Sequence, residues 1–145
     1  MDQTEWPKGW TQSIGREVAR LRKRASLTAD ALSARCAEFG HPIPRSVIAN
    51  LENGRREGLT LHELVVLAAA LDESPLSLAY PPHEDDEQRV QYLPGDAVTT
   101  MTARARFSGD HVLGVALSEA RATAARTVER LDDVLDATVR DRFGR

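Results

Sequence analysis

Residues 45–56, RSVIANLENGRR, have the pattern of a short helix with a defined start and end. Pro44 suits the beginning of such a helix, and Gly54 can adopt the left-handed conformation that closes one. The spacing of the apolar side chains puts one face of this helix inward and leaves a polar face outside. The inward residues are Val47, Ile48 and Leu51, and the outward ones are Arg45, Ser46, Ala49 and Asn50.

The outward face carries side chains of the kind that read the edges of base pairs. Arginine pairs with two acceptors of guanine, asparagine pairs with an acceptor and a donor of adenine, and serine adapts to either. Gly54 turns the chain sharply, so that Asn53, Arg55 and Arg56 can approach a phosphate backbone beside the groove. We therefore predict base reading by Arg45, Ser46, Ala49 and Asn50.

The charge distribution points to the same kind of partner. The net charge of the 145 residues is -3. Residues 8–60 nevertheless hold ten Lys or Arg against five Asp or Glu, whereas residues 61–100 hold one Arg against eight acidic residues. Such asymmetry indicates a polyanion as the partner of the first segment.

Four more helices are predicted around this one, which gives an all-α domain. An apolar stripe from Ile14 to Ala25 predicts the first, and Thr28 can cap the second, whose apolar face is Leu32, Cys36 and Phe39. Thr60 and Glu63 form a capping box for the fourth. Its apolar face is predicted to be Leu61, Leu64, Val65, Leu67, Ala68 and Leu71, and Ser74-Pro75 starts the fifth.

Composition divides the chain into a domain at residues 11–82, an acidic linker at 83–95 and a helical C-terminal segment at 96–145. Asp96 can cap a short helix to about Arg106, although a strand is an alternative there. From Asp110 to about Arg142 the apolar residues recur with helical spacing, which predicts one long helix. This helix could fold back on its own domain, pair with a second copy or bind another protein.

Three segments together resemble a known family: IGREVARLRKRASLTADALSARC, RSVIANLENGRR and TLHELVVLAAALDESPLSL. They look like the lambda-repressor-like helix-turn-helix domain of the XRE family of transcription regulators, over about residues 13–80. The resemblance implies a five-helix DNA-binding domain with Arg45, Ser46 and Asn50 in the major groove. It also implies phosphate contacts from Asn53 and Arg55, and an internal role for Glu52.

Two departures from the family change the expected phosphate contacts. Ala29 stands where many members have a Gln that contacts phosphate, and about five extra residues lie between Cys36 and Pro44. The expected phosphate contacts are therefore Thr28, Arg35, His41, Asn53, Arg55 and Arg56.

The predicted function is sequence-specific binding of double-stranded DNA by a transcription regulator, a repressor that acts as a dimer through its C-terminal helix. A dimer would present two modules about 34 Å apart to a two-fold site. The alternative is an antitoxin-like or scaffold protein whose C-terminal helix binds a protein partner.

Other classes of function find little support in the sequence. The four histidines are far apart and accompany no nucleophile, so we expect neither an enzyme, nor a cofactor, nor a metal site. No apolar run predicts a membrane span and no leader predicts secretion, so we expect a cytoplasmic protein.

Overall fold

The structure is a computed structural model that describes residues 5–82 and 88–143, with the side chains of 111–119 and 139–143 excepted. The acidic run at residues 84–87, expected to be a linker, lies outside the described residues. The chain divides into two compact units, Met1–Phe107 and Ser108–Arg145. Within the described part of the chain, no helix combines the length and the apolar character needed to cross a membrane.

The first unit begins with five helices whose ends follow the local signals in the sequence. The Thr28 hydroxyl accepts a hydrogen bond from the Ala31 amide, and Thr60 and Glu63 form the predicted capping box. Pro75 occupies the first turn of the fifth helix behind a Ser74 cap. The helices are α1 Glu5–Arg24, α2 Ala29–Glu38, α3 Arg45–Glu52, α4 Leu61–Ala70 and α5 Pro75–Ala79.

These five helices share one hydrophobic core. Its largest fully buried side chains come from α1, α2, α3, α4 and α5, and they are Val18, Leu32, Cys36, Ile48, Leu51, Leu67 and Leu78. The predicted apolar faces were too wide at four positions, because Ala25, Phe39, Leu61 and Val65 are exposed. Phe39 follows the end of α2 rather than lying within it, so helical spacing no longer directs its side chain inward.

The all-α prediction is wrong, because the chain forms a two-stranded antiparallel hairpin of β1 Arg89–Leu93 and β2 Asp96–Thr99. β1 lies in the span expected to be an acidic linker, and β2 lies where a strand was the alternative to a helix. Gly95, with φ of +79°, allows the tight turn between them. The expected five-helix domain is not shown either, since the described part of the first compact unit adds this hairpin and a sixth helix, α6 Thr100–Ser108.

The hairpin and α6 are attached to the helices by a second cluster of buried side chains. Tyr80, at the end of α5, stacks on Trp10 of α1 and on Tyr92 of β1, with ring centroids 5.4 Å and 6.0 Å apart. The Trp6 indole N–H donates to the carbonyl of Gln91 at 3.1 Å. Ala103 of α6 is fully buried in the same cluster. These contacts are long-range in sequence, which explains why linker composition did not reveal them.

The second unit contains one long helix, α7 Asp110–Phe143, as the periodicity predicted. Every residue from 120 to 138 is exposed in the structure of this chain.

Candidate nucleic-acid interface

α3 is held against the rest of the domain by its apolar face. Ile48 and Leu51 are buried, and the helix packs against α1 and α2. α1 comes unusually close, because a Cβ at Gly15 would lie 2.1 Å from the Leu51 carbonyl oxygen. Only glycine permits this approach, so the position of α3 depends on the absence of a side chain at residue 15.

An internal ion pair fixes the end of α3, which confirms the predicted internal role of Glu52. Both carboxylate oxygens of Glu52 accept from the Arg22 guanidinium at 2.7 Å, and the two side chains are only 11% and 14% exposed. Arg22 also donates to the Leu27 carbonyl at 2.8 Å. Its hydrogen bonds to Glu52 raise the pKa of Arg22. The Arg22 guanidinium thus connects α1 both to α3 and to the turn that precedes α2.

The opposite face of α3 presents the predicted base-reading residues to solvent. Arg45, Ser46 and Asn50 are exposed, while Ala49 is half-buried. Arg45 Nε lies 3.4 Å from Asp30 Oδ2, and both side chains are exposed. This pair brings the first turn of α2 beside the first turn of α3. An exposed pair contributes roughly 0–1 kcal/mol, so Arg45 can exchange Asp30 for another acceptor at small cost.

Beyond α3 the chain turns where the sequence indicated. Gly54 has φ of +69°, and the Arg55 amide donates back to the Asn50 carbonyl at 2.9 Å. This geometry closes α3 and leaves the side chains of Asn53 and Arg55 exposed.

Two residues of α1 lie beside this turn, and neither was predicted from the sequence to belong to the interface. Gln12 Nε2 donates to the Gly54 carbonyl at 3.2 Å. Gln12 and the exposed Arg16 line a hollow of about 250 Å³ together with Glu52, Asn53 and Gly54. Residues 12 and 16 are four apart and therefore share one face of α1, which was the available signal. An amide and a guanidinium converge on the turn, and both are hydrogen-bond donors suited to phosphate oxygens.

The remaining predicted phosphate contacts have different surroundings. Thr28 is exposed, but its hydroxyl caps α2, and Arg35 Nη1 donates to the Ala70 carbonyl at 3.2 Å. His41 is exposed, with its ring 6.2 Å from that of His62. Arg56 donates to Glu63 Oε1 at 2.8 Å and is only 25% exposed. The ion pair therefore holds the Arg56 side chain at the N-terminal cap of α4, where it is largely shielded from solvent.

The extra residues before α3 form a connection at residues 39–44, which Ile43 anchors in the core. The Ser33 hydroxyl donates to the Ile43 carbonyl at 2.6 Å, which ties this connection to α2.

The described residues contain no group of three His, Cys, Asp or Glu side chains placed to hold a metal ion. Cys36 is fully buried, and this burial raises the pKa of its thiol, so that the reactive thiolate is disfavoured.

Comparison with known proteins gives no further guide to the function of this surface. No protein-family model matches the sequence, and neither a curated protein nor a solved structure matches the chain significantly.

Proposed function

We propose that this protein binds double-stranded DNA sequence-specifically and regulates transcription, with α2 and α3 acting as a helix-turn-helix. The observation that carries the proposal is the division of α3 into two faces. Ile48 and Leu51 hold it from behind, while Arg45, Ser46 and Asn50 face solvent. A helix fixed by its inner face and polar outside can enter a major groove without rearrangement.

The surroundings of α3 supply the contacts that would position it on DNA. Asn53 and Arg55 follow the helix directly, and Gln12 and Arg16 lie beside the same turn. In this proposal these four side chains contact phosphates on the strand that borders the groove. The basic charge of residues 8–60 adds a non-specific attraction that weakens with salt.

The resemblance of residues 13–80 to XRE-family regulators supports the proposal and makes repression by occupying an operator the favoured mode of action. One small module buries only about 600–1,000 Å² on DNA, so useful affinity calls for two modules on a two-fold site. We therefore propose a dimer that acts in the cytoplasm.

Selection of bound duplexes from a random DNA pool, with full-length protein at about 150 mM salt, tests this proposal. A two-fold motif with fixed spacing between half-sites is the expected result. Selection without enrichment, with only salt-sensitive binding to all sequences, would contradict sequence-specific regulation. A variant with Arg45→Ala and Asn50→Ala is the matched control, because it keeps the buried face of α3 and should lose the motif.

A second candidate function is an antitoxin-like or scaffold protein that binds another protein through α7. The exposed apolar side chains Val128, Leu131, Val134 and Leu135 favour it, since contiguous apolar surface marks interaction sites. If the DNA selection fails and the full-length protein is a monomer that captures a distinct protein, this candidate replaces the first.

A further inference from the structure

The apolar side chains of α7 between residues 120 and 138 are all exposed. Val128, Leu131, Val134 and Leu135 are 56–60% exposed. Helices owe most of their stability to packing of an apolar face. We therefore expect this helix of 34 residues, on which these four large apolar side chains are exposed to water, to pack against a partner.

Between residues 120 and 135, the apolar stripe of α7 has small residues in its first half and large residues in its second half. Ala120 and Ala124 occupy the first half, and Leu131 and Leu135 occupy the second, with Thr127 and Val128 between them. Steps of three and four residues keep all six on one face of the helix. A second copy that runs in the opposite direction would place its large half against the small half of the first.

We propose that two copies of this chain pair through α7 in an antiparallel arrangement whose two-fold axis passes between Thr127 and Val128. In this register Leu131 of one copy lies opposite Ala124 of the other, and Leu135 lies opposite Ala120. Small residues let the two backbones approach closely, and large ones fill the space between them. The same surface serves both copies, as a two-fold interface requires.

Charged residues beside the stripe select the same direction. Arg121 and Asp132 are eleven residues apart, which is close to three turns, so they lie on the same flank; Asp136 is one turn further on. The antiparallel register sets Arg121 of one copy between Asp132 and Asp136 of the other, and symmetry repeats the contact. In a parallel pair this flank of each helix would face the other flank of its partner, so Arg121 would meet neither Asp132 nor Asp136 of the second copy.

This inference does not depend on DNA binding. The pairing of α7 is measured in the absence of DNA, and a failed selection for a DNA motif would leave it unchanged. Conversely, a monomeric protein could still show the preferences of a single DNA-binding module.

Disulfide formation in the full-length chain tests the direction and the register. The native Cys36 is fully buried and can stay in place. Thr127→Cys lies beside the axis and is expected to cross-link two copies under mild oxidation. Ala120→Cys is not expected to cross-link, because the residue-120 cysteines of the two copies would be about 22 Å apart along the paired helices. Arg126→Cys, off the stripe, is the matched control and should not cross-link.

Each other pattern overturns the proposal. Cross-linking of both Thr127→Cys and Ala120→Cys indicates a parallel pair. Cross-linking of neither variant, together with a monomeric mass by light scattering at micromolar concentration, indicates that α7 does not self-associate. If the protein is monomeric on its own but forms a complex when a different protein is added, the exposed face of α7 binds that protein and not a second copy.

Charge reversal on the exposed flank provides a second test that does not threaten folding. Arg121→Asp should weaken dimerisation roughly tenfold, since exposed ion pairs are individually weak and four of them change together. Adding Asp132→Arg and Asp136→Arg should restore it, whereas the control Arg126→Asp should have little effect. Equal effects of Arg121→Asp and Arg126→Asp, or no rescue by the added changes, would refute the register.

Discussion

Replacing Gly15 by alanine tests how α3 is positioned, because this glycine is where α1 and α3 come closest. The added Cβ would stand 2.1 Å from the Leu51 oxygen, whereas an ordinary contact begins at 3.4 Å, so the two backbones must part by about 1.3 Å. The contacted atom belongs to the backbone of α3 and cannot turn aside. We expect the free energy of unfolding to fall by about 1–3 kcal/mol, the usual cost of overpacking.

Alanine has a higher helix propensity than glycine, so the same substitution should stabilise the protein where the added Cβ meets no neighbour. A second glycine of α1 therefore provides the control. Gly9 lies in the same helix, and a Cβ there would meet nothing within 4 Å. Gly9→Ala should therefore raise the free energy of unfolding by roughly 0.5–1 kcal/mol. Urea unfolding monitored by circular dichroism would measure both variants, with an unchanged dependence on urea as the check on two-state behaviour. If Gly15→Ala were as stable as Gly9→Ala, the close packing of α1 on α3 would be refuted.

Two further predictions concern single polar groups whose surroundings are defined. The Tyr80 hydroxyl is buried with no hydrogen-bond partner among the described residues, so Tyr80→Phe should stabilise the protein by about 1 kcal/mol in urea unfolding at neutral pH; a loss of stability would reveal a partner. Burial, and to a lesser extent Tyr92, raises the pKa of Tyr80 to about 12. The unfolded chain therefore ionises first, and between pH 10 and 12 the wild type should lose about 1.4 kcal/mol per pH unit relative to Tyr80→Phe. Burial alone would raise the pKa of Glu63, but hydrogen bonds from Arg56 and Thr60 outweigh it and lower the pKa. The stabilisation from this ionised carboxylate is present above the unfolded pKa of about 4.3 and is lost as the pH falls through the lower folded value. The advantage of wild type over Glu63→Gln should accordingly shrink in acid, and a constant difference from pH 7 to pH 3 would contradict the assignment.

Local signals predicted the helical part of the fold well, because each acts over a few residues. Thr28, the Thr60 capping box and the Ser74-Pro75 start all satisfy or replace amide donors within their own first turn. Gly54 closes α3 because it alone of its neighbours adopts positive φ without strain. None of these features requires knowledge of what lies elsewhere in the chain.

The hairpin could not be predicted in the same way. β1 follows an acidic run and is short, so its composition favoured a linker. Its stability depends on partners far away in sequence, such as Trp6, whose indole bonds to the Gln91 carbonyl, and Tyr80, which stacks on Tyr92. Short hairpins are marginal until something packs on them, and sequence patterns do not show what will.

The residues of the candidate interface that lie on a single helix could be predicted from the sequence. Those contributed by a second helix packed beside it could not be predicted as well. The exposed face of α3 follows from its own spacing. The contribution of Gln12 and Arg16 depends on α1 passing beside the turn after α3, which Gly15 permits. Arg56 was predicted to contact phosphate as a surface cation, whereas its side chain forms an ion pair with Glu63 at the start of α4.

If the exposed face of α3 reads DNA sequence, as we propose, the specificity ratios of two variants will differ from each other, and measuring them is the most direct test. Affinities for the selected site and for random duplex would be measured across a range of salt concentrations for wild type, Asn50→Ala and Arg55→Ala. We expect Asn50→Ala to lose about 1–3 kcal/mol on the selected site and little on random DNA. Arg55→Ala should weaken both and reduce the salt slope by about one unit. Equal loss on both sequences for Asn50→Ala would contradict base reading by α3.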